Sequence, residues 1–448
     1  MKKKIMAGLI AGIFVFQCFA GNAYATGVVE VPAEQVESVY NQGVESNKMK
    51  DWPNGPHIYS ESGIVMDMDS GAILYGKNID DKHYPASITK ILTALVVLEN
   101  CDLQKKIKFS WDDVMTLEPG SSHIGMKQNE KITTEDALYA ILLASANEVS
   151  NAVASNYEGG YEAFVAEMNR RAKELGCTNS NFVNTHGLHK ENHYTTVRDM
   201  ALIGAEVYKQ ETFRTVTMTK QYTIGKTNIT KQKRVFQQKH KMLNQWSEHF
   251  YEYCTGGKTG YTTKSLNTLV TFASKDGMNL VAVVMRTHGG NTNAYGDTKK
   301  MFDYAFDNFS KKEVTLEELQ NKDFLNVGDK NYVMLPKKIT FDRLTSEYTE
   351  PAGLGEKEGK IKYTYNGWDV GEVSVTITDE KYNEIHGIKV KETKESEKKG
   401  NKAKMPTVLI VILVVIIILA IAVGSLFGYV AYKRKKLEEK RRARRRQR

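Results

Sequence analysis

The spacing of apolar positions changes several times along the chain, and each change predicts a new structural element. Two short apolar runs, at 64–67 and 72–75, flank the turn residues Asp69-Ser70-Gly71, which predicts a β-hairpin. Over 87–100, apolar residues follow Pro85 at intervals of three or four, which predicts a helix.

Further helices and strands follow with the same two periods. Helical spacing is found from Thr134, with Leu138, Ile141, Leu142 and Ala146 on one face, and again over 161–175, 196–208 and 297–309. Strand-like runs occupy 266–273 and 280–285, and Asp276-Gly277 between them is typical of a hairpin turn.

The flanking regions have a different pattern. Residues 26–56 are polar without a clear period, which predicts a spacer. After 313, short alternating segments separated by Gly and Pro predict a small all-β domain over 313–391. A charged linker over 392–407 follows.

The two ends indicate export and membrane attachment. Residues 1–25 combine three lysines, an apolar run and a small-x-small site, as a signal peptide does, and the alternative is an uncleaved anchor. Residues 408–430 carry no charge over 23 positions, enough for one transmembrane helix. We expect the part between the two ends to lie outside the cell membrane and the basic tail, 431–448, to be cytoplasmic.

Charge and cysteine content narrow the function classes. Residues 433–448 hold 11 Lys or Arg and 2 Glu, a net +9 that equals the formal charge of the whole chain. The basic character therefore belongs to a tail beside a membrane span, and nucleic-acid binding is not expected. Cys101, Cys177 and Cys254 remain after signal removal, an odd number that leaves room for one disulfide or three free thiols.

Ser87 and Lys90 are the first candidates for chemistry. Three positions apart in a helix, they share a face, so their side chains can meet. A serine hydroxyl needs a base to become a nucleophile, and lysine can serve only as the neutral amine. Its pKa must therefore be lowered by burial or by a neighbouring cation.

Two further motifs make this pair significant. Ser145-Ala146-Asn147 follows 58 residues after Ser87, and Lys258-Thr259-Gly260 follows 113 residues after Ser145. Each motif alone is weak, but the ordered trio is typical of β-lactamases and penicillin-binding proteins.

On these residues, together with Asn184-Thr185-His186-Gly187-Leu188, the sequence resembles the low-molecular-mass penicillin-binding proteins of the D-alanyl-D-alanine carboxypeptidase family. The resemblance covers about 57–310. It implies an α/β (α+β) fold of the β-lactamase/transpeptidase type, with an antiparallel sheet and a helical region. The small all-β domain and the C-terminal anchor fit the same architecture.

The resemblance also implies an activity and roles for individual residues. Ser87 is the expected nucleophile, Lys90 its base and Ser145 a proton carrier to the leaving amine. The expected substrate-binding residues are Asn147, Lys258, Thr259, Gly260, Tyr261 and Thr262, with backbone N–H groups of Ser87 and Tyr261 in the oxyanion hole. The expected partners are peptidoglycan stem peptides and β-lactam antibiotics.

Parts of the sequence pattern are also compatible with other functions. A cross-link endopeptidase or a β-lactamase on the same fold remains an alternative, although the Glu-x-x-Leu-Asn segment of class A β-lactamases is missing between Ser145 and Lys258. A catalytically dead wall-binding module is the non-enzyme alternative. Gly256-Gly257-Lys258-Thr259 is not a P-loop, because Glu252 stands where its first glycine belongs. No cofactor is expected, and His186, His189 and His193 have metal-like spacing but are expected to be loop histidines.

Overall fold

A five-stranded antiparallel sheet organises the part of the chain that the computed structural model describes, residues 32–319, 321–351, 353 and 355–388. The strands are β1 (Ser60–Asp67), β2 (Ile73–Lys77), β3 (Lys106–Lys108), β4 (Lys131–Thr133), β5 (Gln221–Ile224), β6 (Arg234–Gln237), β7 (Cys254–Thr262), β8 (Leu266–Lys275), β9 (Met278–Thr287), β10 (Phe309–Glu313), β11 (Phe324–Val327), β12 (Tyr332–Pro336), β13 (Thr345–Thr349), β14 (Glu358–Tyr365) and β15 (Trp368–Ile377). The helices are α1 (Ala33–Tyr40), α2 (Lys90–Asn100), α3 (Trp111–Met115), α4 (Thr134–Tyr139), α5 (Asn147–Ser155), α6 (Gly160–Glu174), α7 (Val197–Tyr208), α8 (Glu211–Met218), α9 (Asn291–Asn308), α10 (Leu316–Leu319) and α11 (Asp379–Ile385).

The central sheet has the strand order β2-β1-β9-β8-β7, so β7 forms one edge. On the inner strands β1, β8 and β9, alternate residues enter different cores. Val281 and Val283 on β9 face the core formed with helices α2 and α4–α8, whereas Leu280 and Ala282 face the core formed with α9. The predicted hairpins at β1–β2 and β8–β9 are confirmed, and the β8–β9 turn places Asp276 at φ 51°.

The helices confirm most of the predicted periodic segments but differ at their ends. α9 begins at Asn291, six residues before the predicted start, because its first turn is polar and lacks the apolar signal. The helix predicted from Thr134 is capped by Thr133, whose hydroxyl accepts the Asp136 N–H at 3.0 Å. It ends in a π-helical turn over Ala140–Ala144, and Ala146 is extended rather than helical.

The segment predicted as a spacer is partly folded. α1 lies within it, and Trp52 is 5% exposed, with its indole N–H donating to the Leu74 carbonyl at 3.3 Å. The buried ammonium group of Lys77 donates to the carbonyls of Val39, Ile58 and Ser60 at 2.8–3.0 Å. These long-range contacts hold the segment in place. They could not be predicted from its polar composition.

The C-terminal region is mostly β, with two short helices. A two-stranded sheet, β10–β12, adjoins a four-stranded sheet of order β11-β15-β14-β13. The prediction of an all-β domain is wrong at α10 and α11, and α11 begins where Thr378 caps the Lys381 N–H at 3.2 Å.

Several predicted features lie outside the described residues. These are the signal peptide 1–25, the linker 392–407, the transmembrane segment 408–430 and the basic tail. Within 32–388, leaving aside 320, 352 and 354, no helix has the length and apolarity needed to cross a bilayer. Cys101, Cys177 and Cys254 are free thiols.

Candidate active site

Ser87 lies in a 3₁₀ turn, Ala86–Thr89, that leads directly into α2. Ala86 before it has φ 50°, an unfavourable conformation for a residue with a side chain. The turn is held from two sides. The Thr268 hydroxyl donates to the Pro85 carbonyl at 2.9 Å, and Gly187 lies so close that a Cβ there would come within 1.8 Å of the Ala86 oxygen.

Lys90 is fully buried one helical turn after Ser87, the predicted nucleophile. Its Nζ lies 2.7 Å from Asn147 Oδ1, 2.8 Å from the His186 carbonyl oxygen and 3.2 Å from Ser87 Oγ. The first two oxygens can only accept, so they take the two protons of a neutral amine. The lone pair is then left for the hydroxyl proton of Ser87, which is the geometry a base needs.

The electrostatics favour a neutral Lys90. Burial, with the charges of Lys258 and Lys239, holds the pKa of Lys90 well below its usual range. Burial and Lys239 also lower the pKa of Lys258 to about 7. Among the described residues, none of these three lysines forms a salt bridge with an acid.

Ser145 and Asn147 reach the site because helical structure is interrupted between α4 and α5. Ser145 has φ 62° and ψ 33°, the left-handed region, which ends the π-helical turn. Lys258 Nζ lies 3.2 Å from Ser145 Oγ. The Asn147 side-chain oxygen bonds Lys90, and its amide N–H₂ makes no hydrogen bond within the described residues, so it is free to donate to a ligand.

The edge strand β7 forms the opposite wall. Lys258 is 2% exposed and also donates to the Thr259 carbonyl at 2.8 Å. Only glycine fits at 260, because a Cβ there would lie 2.3 Å from Thr268 Oγ1 and 2.9 Å from Ser87 N. Tyr261 is 44% exposed at the mouth of the cavity.

Thr259 and Thr262, both predicted to bind substrate, differ in the hydrogen bonds of their hydroxyl groups. Thr262 Oγ1 lies 2.8 Å from Ser265 Oγ, and each residue's backbone N–H donates to the other's hydroxyl. Thr262 is therefore committed to the turn after β7. The hydroxyl of Thr259 has no such partner in the part of the chain that the structure describes.

Seven of the nine predicted site residues line one cavity, together with residues that were not predicted to belong to the site. Its lining includes Ser87, Ser145, Asn147, Thr259, Gly260, Tyr261 and Thr262, together with Gly120, Ser121, Ser122, Gly187, Leu188, Lys239, Lys241, Asn267, Thr268, Leu269, Asn291, Ala294 and Tyr295. Lys90 and Lys258 are not part of this lining but contact Ser87 and Ser145, which are.

Two contributors to the site carry no recognisable motif of their own. Lys239 donates to the carbonyl of Ala144 at 2.8 Å, directly before Ser145. Glu148 accepts the Ile124 N–H at 2.7 Å and so holds the loop that brings Ser121 and Ser122 to the cavity. Only its position after Asn147 could have drawn attention to Glu148.

The three histidines with metal-like spacing do not converge. His186 Nδ1 accepts the Leu188 N–H at 3.1 Å, and the His189 ring packs edge-on against Tyr84. His193 is buried beneath the nucleophile turn, 2.9 Å from Thr89 Oγ1. No group of three His, Cys, Asp or Glu residues that could hold a metal is found within the described ranges.

The chain is similar to known proteins in both sequence and fold. Residues 49–289 match the peptidase S11 family model, described as D-alanyl-D-alanine carboxypeptidase. The chain is 35% identical over 256 residues to the D-alanyl-D-alanine carboxypeptidase DacF of Bacillus subtilis, covering 56% of this chain and 63% of that protein. It is 27% identical over 354 residues to the D-alanyl-D-alanine carboxypeptidase DacA of Haemophilus influenzae, covering 72% and 86%. The crystal structure of the Streptomyces K15 DD-transpeptidase has a TM-score of 0.52 and 28% identity, over 57% of this chain and all of that one.

Proposed function

The chain belongs to the D-alanyl-D-alanine carboxypeptidase family, peptidase S11, and we propose that it is a serine-type enzyme that removes the terminal D-alanine from peptidoglycan stem pentapeptides. The observation that carries the proposal is the contact between Lys90 and Ser87. A buried amine lies 3.2 Å from the hydroxyl, while two acceptors take its protons.

Acylation follows from that contact. Ser87 Oγ attacks the carbonyl of the D-Ala-D-Ala peptide bond and passes its proton to Lys90. The C–N bond then breaks, and the leaving amine takes the hydroxyl proton of Ser145, which lines the cavity and takes a proton in turn from Lys258 at 3.2 Å. Transfer of the proton on Lys90 to Lys258 through solvent then restores the neutral base and the cation. The acyl group stays on Ser87 as an ester until water hydrolyses it, with Lys90 again acting as the base.

Backbone N–H groups of Ser87 and Tyr261 are the proposed oxyanion donors. The close approach of Gly260 to Ser87 N brings β7 against the nucleophile turn. Removing one preorganised donor of this kind costs about 3–4 kcal/mol of barrier stabilisation.

The open edge of β7 suits an extended peptide. A stem peptide would add to this edge as a further strand, with its backbone bonded to β7. Asn147 is placed to donate its side-chain amide to a substrate carbonyl. Lys258 and the free hydroxyl of Thr259 are the proposed partners of the terminal carboxylate, because a cation and a hydroxyl on one anion make charge-assisted hydrogen bonds.

We propose that the enzyme works outside the cell membrane, held by the span at 408–430 with the basic tail in the cytoplasm. The support is the sequence pattern, an uncharged stretch of 23 residues followed by a strongly basic one. β-Lactams are the proposed covalent inhibitors at Ser87, because a β-lactam copies the acyl-D-Ala-D-Ala shape.

Product analysis tests the activity. Purified enzyme incubated with a pentapeptide-stem muropeptide should release free D-alanine and leave a tetrapeptide. Benzylpenicillin should raise the intact mass by one drug molecule. Ser87→Ala should abolish both results while Ser110→Ala, a change at a helix cap outside the cavity lining, should preserve them. Labelling that survives in Ser87→Ala would place the nucleophile elsewhere.

A second substrate pair tests how the terminal carboxylate is recognised. Amidation removes the negative charge and leaves donors in the pocket without a partner, at about 1–3 kcal/mol per group. The amide should therefore be cleaved at least about tenfold less efficiently than the free acid. Equal cleavage of the two would favour the cross-link endopeptidase instead.

A further inference from the structure

The buried side chain of His193 is connected to the nucleophile turn. It is 1% exposed, and both ring nitrogens are engaged. Nδ1 lies 3.0 Å from the Val183 N–H, and Nε2 lies 2.9 Å from the hydroxyl of Thr89, which is fully buried. The reaction scheme above assigns no role to either side chain.

The direction of these hydrogen bonds is fixed. The backbone N–H of Val183 can only donate, so Nδ1 of His193 carries the lone pair and Nε2 carries the proton. Burial, with the charges of His189 and Lys90, lowers the pKa of His193 to about 3, so this neutral form persists at neutral pH. Nε2–H then donates to Thr89 Oγ1, and the Thr89 hydroxyl donates to the Ala86 carbonyl at 2.9 Å.

The Ala86 carbonyl belongs to the same peptide unit as the N–H of Ser87. That unit is planar and trans, so its C=O and N–H point in opposite directions. Fixing the oxygen therefore fixes the direction of the Ser87 N–H. Ala86 has φ 50°, a conformation that persists only where the surroundings impose it.

We propose that His193 and Thr89 are positioning residues of the oxyanion hole: through the Ala86 carbonyl, they aim the Ser87 N–H at the developing oxyanion. The chain of hydrogen bonds also polarises the peptide unit and strengthens its N–H as a donor. This inference rests on the proposed function of Ser87.

Thr89→Val is the main test, because valine keeps the shape and removes the hydroxyl. Three quantities are measured: kcat and KM on a D-Ala-D-Ala peptide, the rate of acylation by benzylpenicillin, and the affinity for a boronic acid that forms a tetrahedral adduct on Ser87. We expect kcat, acylation and boronate affinity to fall together by about tenfold to a hundredfold, less than the full loss of one oxyanion donor. KM should stay within about twofold.

Matched variants separate positioning from stability. Thr93 lies one turn along α2, is equally buried, and donates its hydroxyl to the Thr185 carbonyl at 2.6 Å. Thr93→Val should lower the melting temperature as Thr89→Val does but leave acylation within about twofold. Thr89→Ser, which keeps the hydroxyl, should restore acylation.

The role of His193 is tested through the same readouts. His193→Phe should reduce acylation, and His193→Gln, which keeps a donor for Thr89, should restore most of it. Because His193 acts through Thr89, the double variant with Thr89→Val should be no slower than Thr89→Val alone. If His193→Phe does not fold, His193→Gln and the Thr89 variants still decide.

Each failure has its own signature. Unmutated enzyme that neither cleaves the peptide nor reacts with penicillin overturns the proposed function. Active unmutated enzyme with Thr89→Val matching Thr93→Val in acylation overturns this inference alone. A slow Thr89→Val enzyme that binds the boronic acid as tightly as the unmutated one also overturns it.

Discussion

Lys90, Lys258 and Lys239 form a cluster of amines at the site, and burial together with their proximity decides which of them is charged. Burial is the larger cause of the lowered pKa of Lys90 and of Lys258; the charges of Lys258 and Lys239 add to it at Lys90, and the charge of Lys239 adds to it at Lys258. Lys90, the most affected, is best suited to be neutral, whereas Lys258, with its pKa at about 7, keeps part of its charge at neutral pH. One cluster thus supplies both a base and a cation.

This division predicts the pH profile of kcat/KM. Acylation needs neutral Lys90, so the rate should rise as pH increases through the lowered pKa of that residue. Above about pH 7, Lys258 loses its charge and with it the attraction for the substrate carboxylate, so the rate should fall. In Lys258→Gln the rising limb should move to higher pH, because a neighbouring cation no longer opposes protonation of Lys90.

The control is Lys226→Gln, a neutralised lysine in an exposed loop. It should reproduce the unmutated profile. Initial rates on a D-Ala-D-Ala peptide over pH 5–10 give both limbs, and a rising limb that stays in place in Lys258→Gln would contradict the coupling.

At the scale of elements, the loop at 119–126 is attached to the first turn of α5. Glu148, 1% exposed, accepts the Ile124 N–H at 2.7 Å, and the Ser122 carbonyl accepts the Asn147 N–H at 2.9 Å. The loop that presents Ser121 and Ser122 to the cavity is thereby tied to the residue that contacts Lys90.

Glu148→Ala should loosen this loop. The part-buried Ile124 N–H would lose its acceptor, and the free energy of unfolding should fall by about 1 kcal/mol. Because the loop lines the cavity but does not touch the reacting atoms, KM should rise more than kcat falls. Steady-state kinetics and thermal melts measure both effects. Glu148→Gln keeps an acceptor oxygen, so its KM and stability should be close to those of the unmutated enzyme. Glu162→Ala, on α6, is the second control and should also leave both unchanged. An unchanged KM in Glu148→Ala would contradict the role of Glu148 in holding the loop.

The sequence predicted periodic elements better than breaks between them. Apolar spacing located α2, α6, α7 and the β8–β9 hairpin, but it carried the helix from Thr134 through to Ala146, because a left-handed residue at Ser145 leaves no trace in hydrophobicity. In the site, the motifs named seven residues that line one cavity and two lysines, Lys90 and Lys258, that contact Ser87 and Ser145. Sequence spacing drew attention to His193 only as one of three loop histidines, because its contact with Thr89 spans 104 positions and depends on the fold.

At the scale of the whole described unit, the catalytic site and the C-terminal strands occupy opposite edges of the central sheet. The Trp368 indole N–H donates to the Ile73 carbonyl at 2.6 Å, and the Glu372 N–H donates to Ser70 at 2.8 Å, both at the β1–β2 hairpin. From β2 to β7 are four strand spacings, about 19 Å. The C-terminal strands therefore support the sheet without lining the site.

A chain that ends at Lys404 should accordingly remain active. Every residue of the cavity lies at or before Tyr295, so removal of 405–448 deletes none of them. The shortened protein should partition into the aqueous fraction and react with benzylpenicillin within about twofold of the full chain, measured in detergent. A folded but inactive shortened protein would assign the removed segment a catalytic role.

The pairing of β1 with β9 has a consequence for folding during synthesis. Ser60 and Thr287 are bonded partners 227 positions apart, so the sheet closes only after its last strands have been delivered. In a chain made from its N-terminus, Ser87 emerges well before β7, the strand that carries the proposed second oxyanion donor, Tyr261. Pairings between residues so far apart in the sequence make folding slow. We expect that the newly synthesised chain cannot be acylated until these strand pairings form. The time at which penicillin reactivity appears should therefore report when folding is complete.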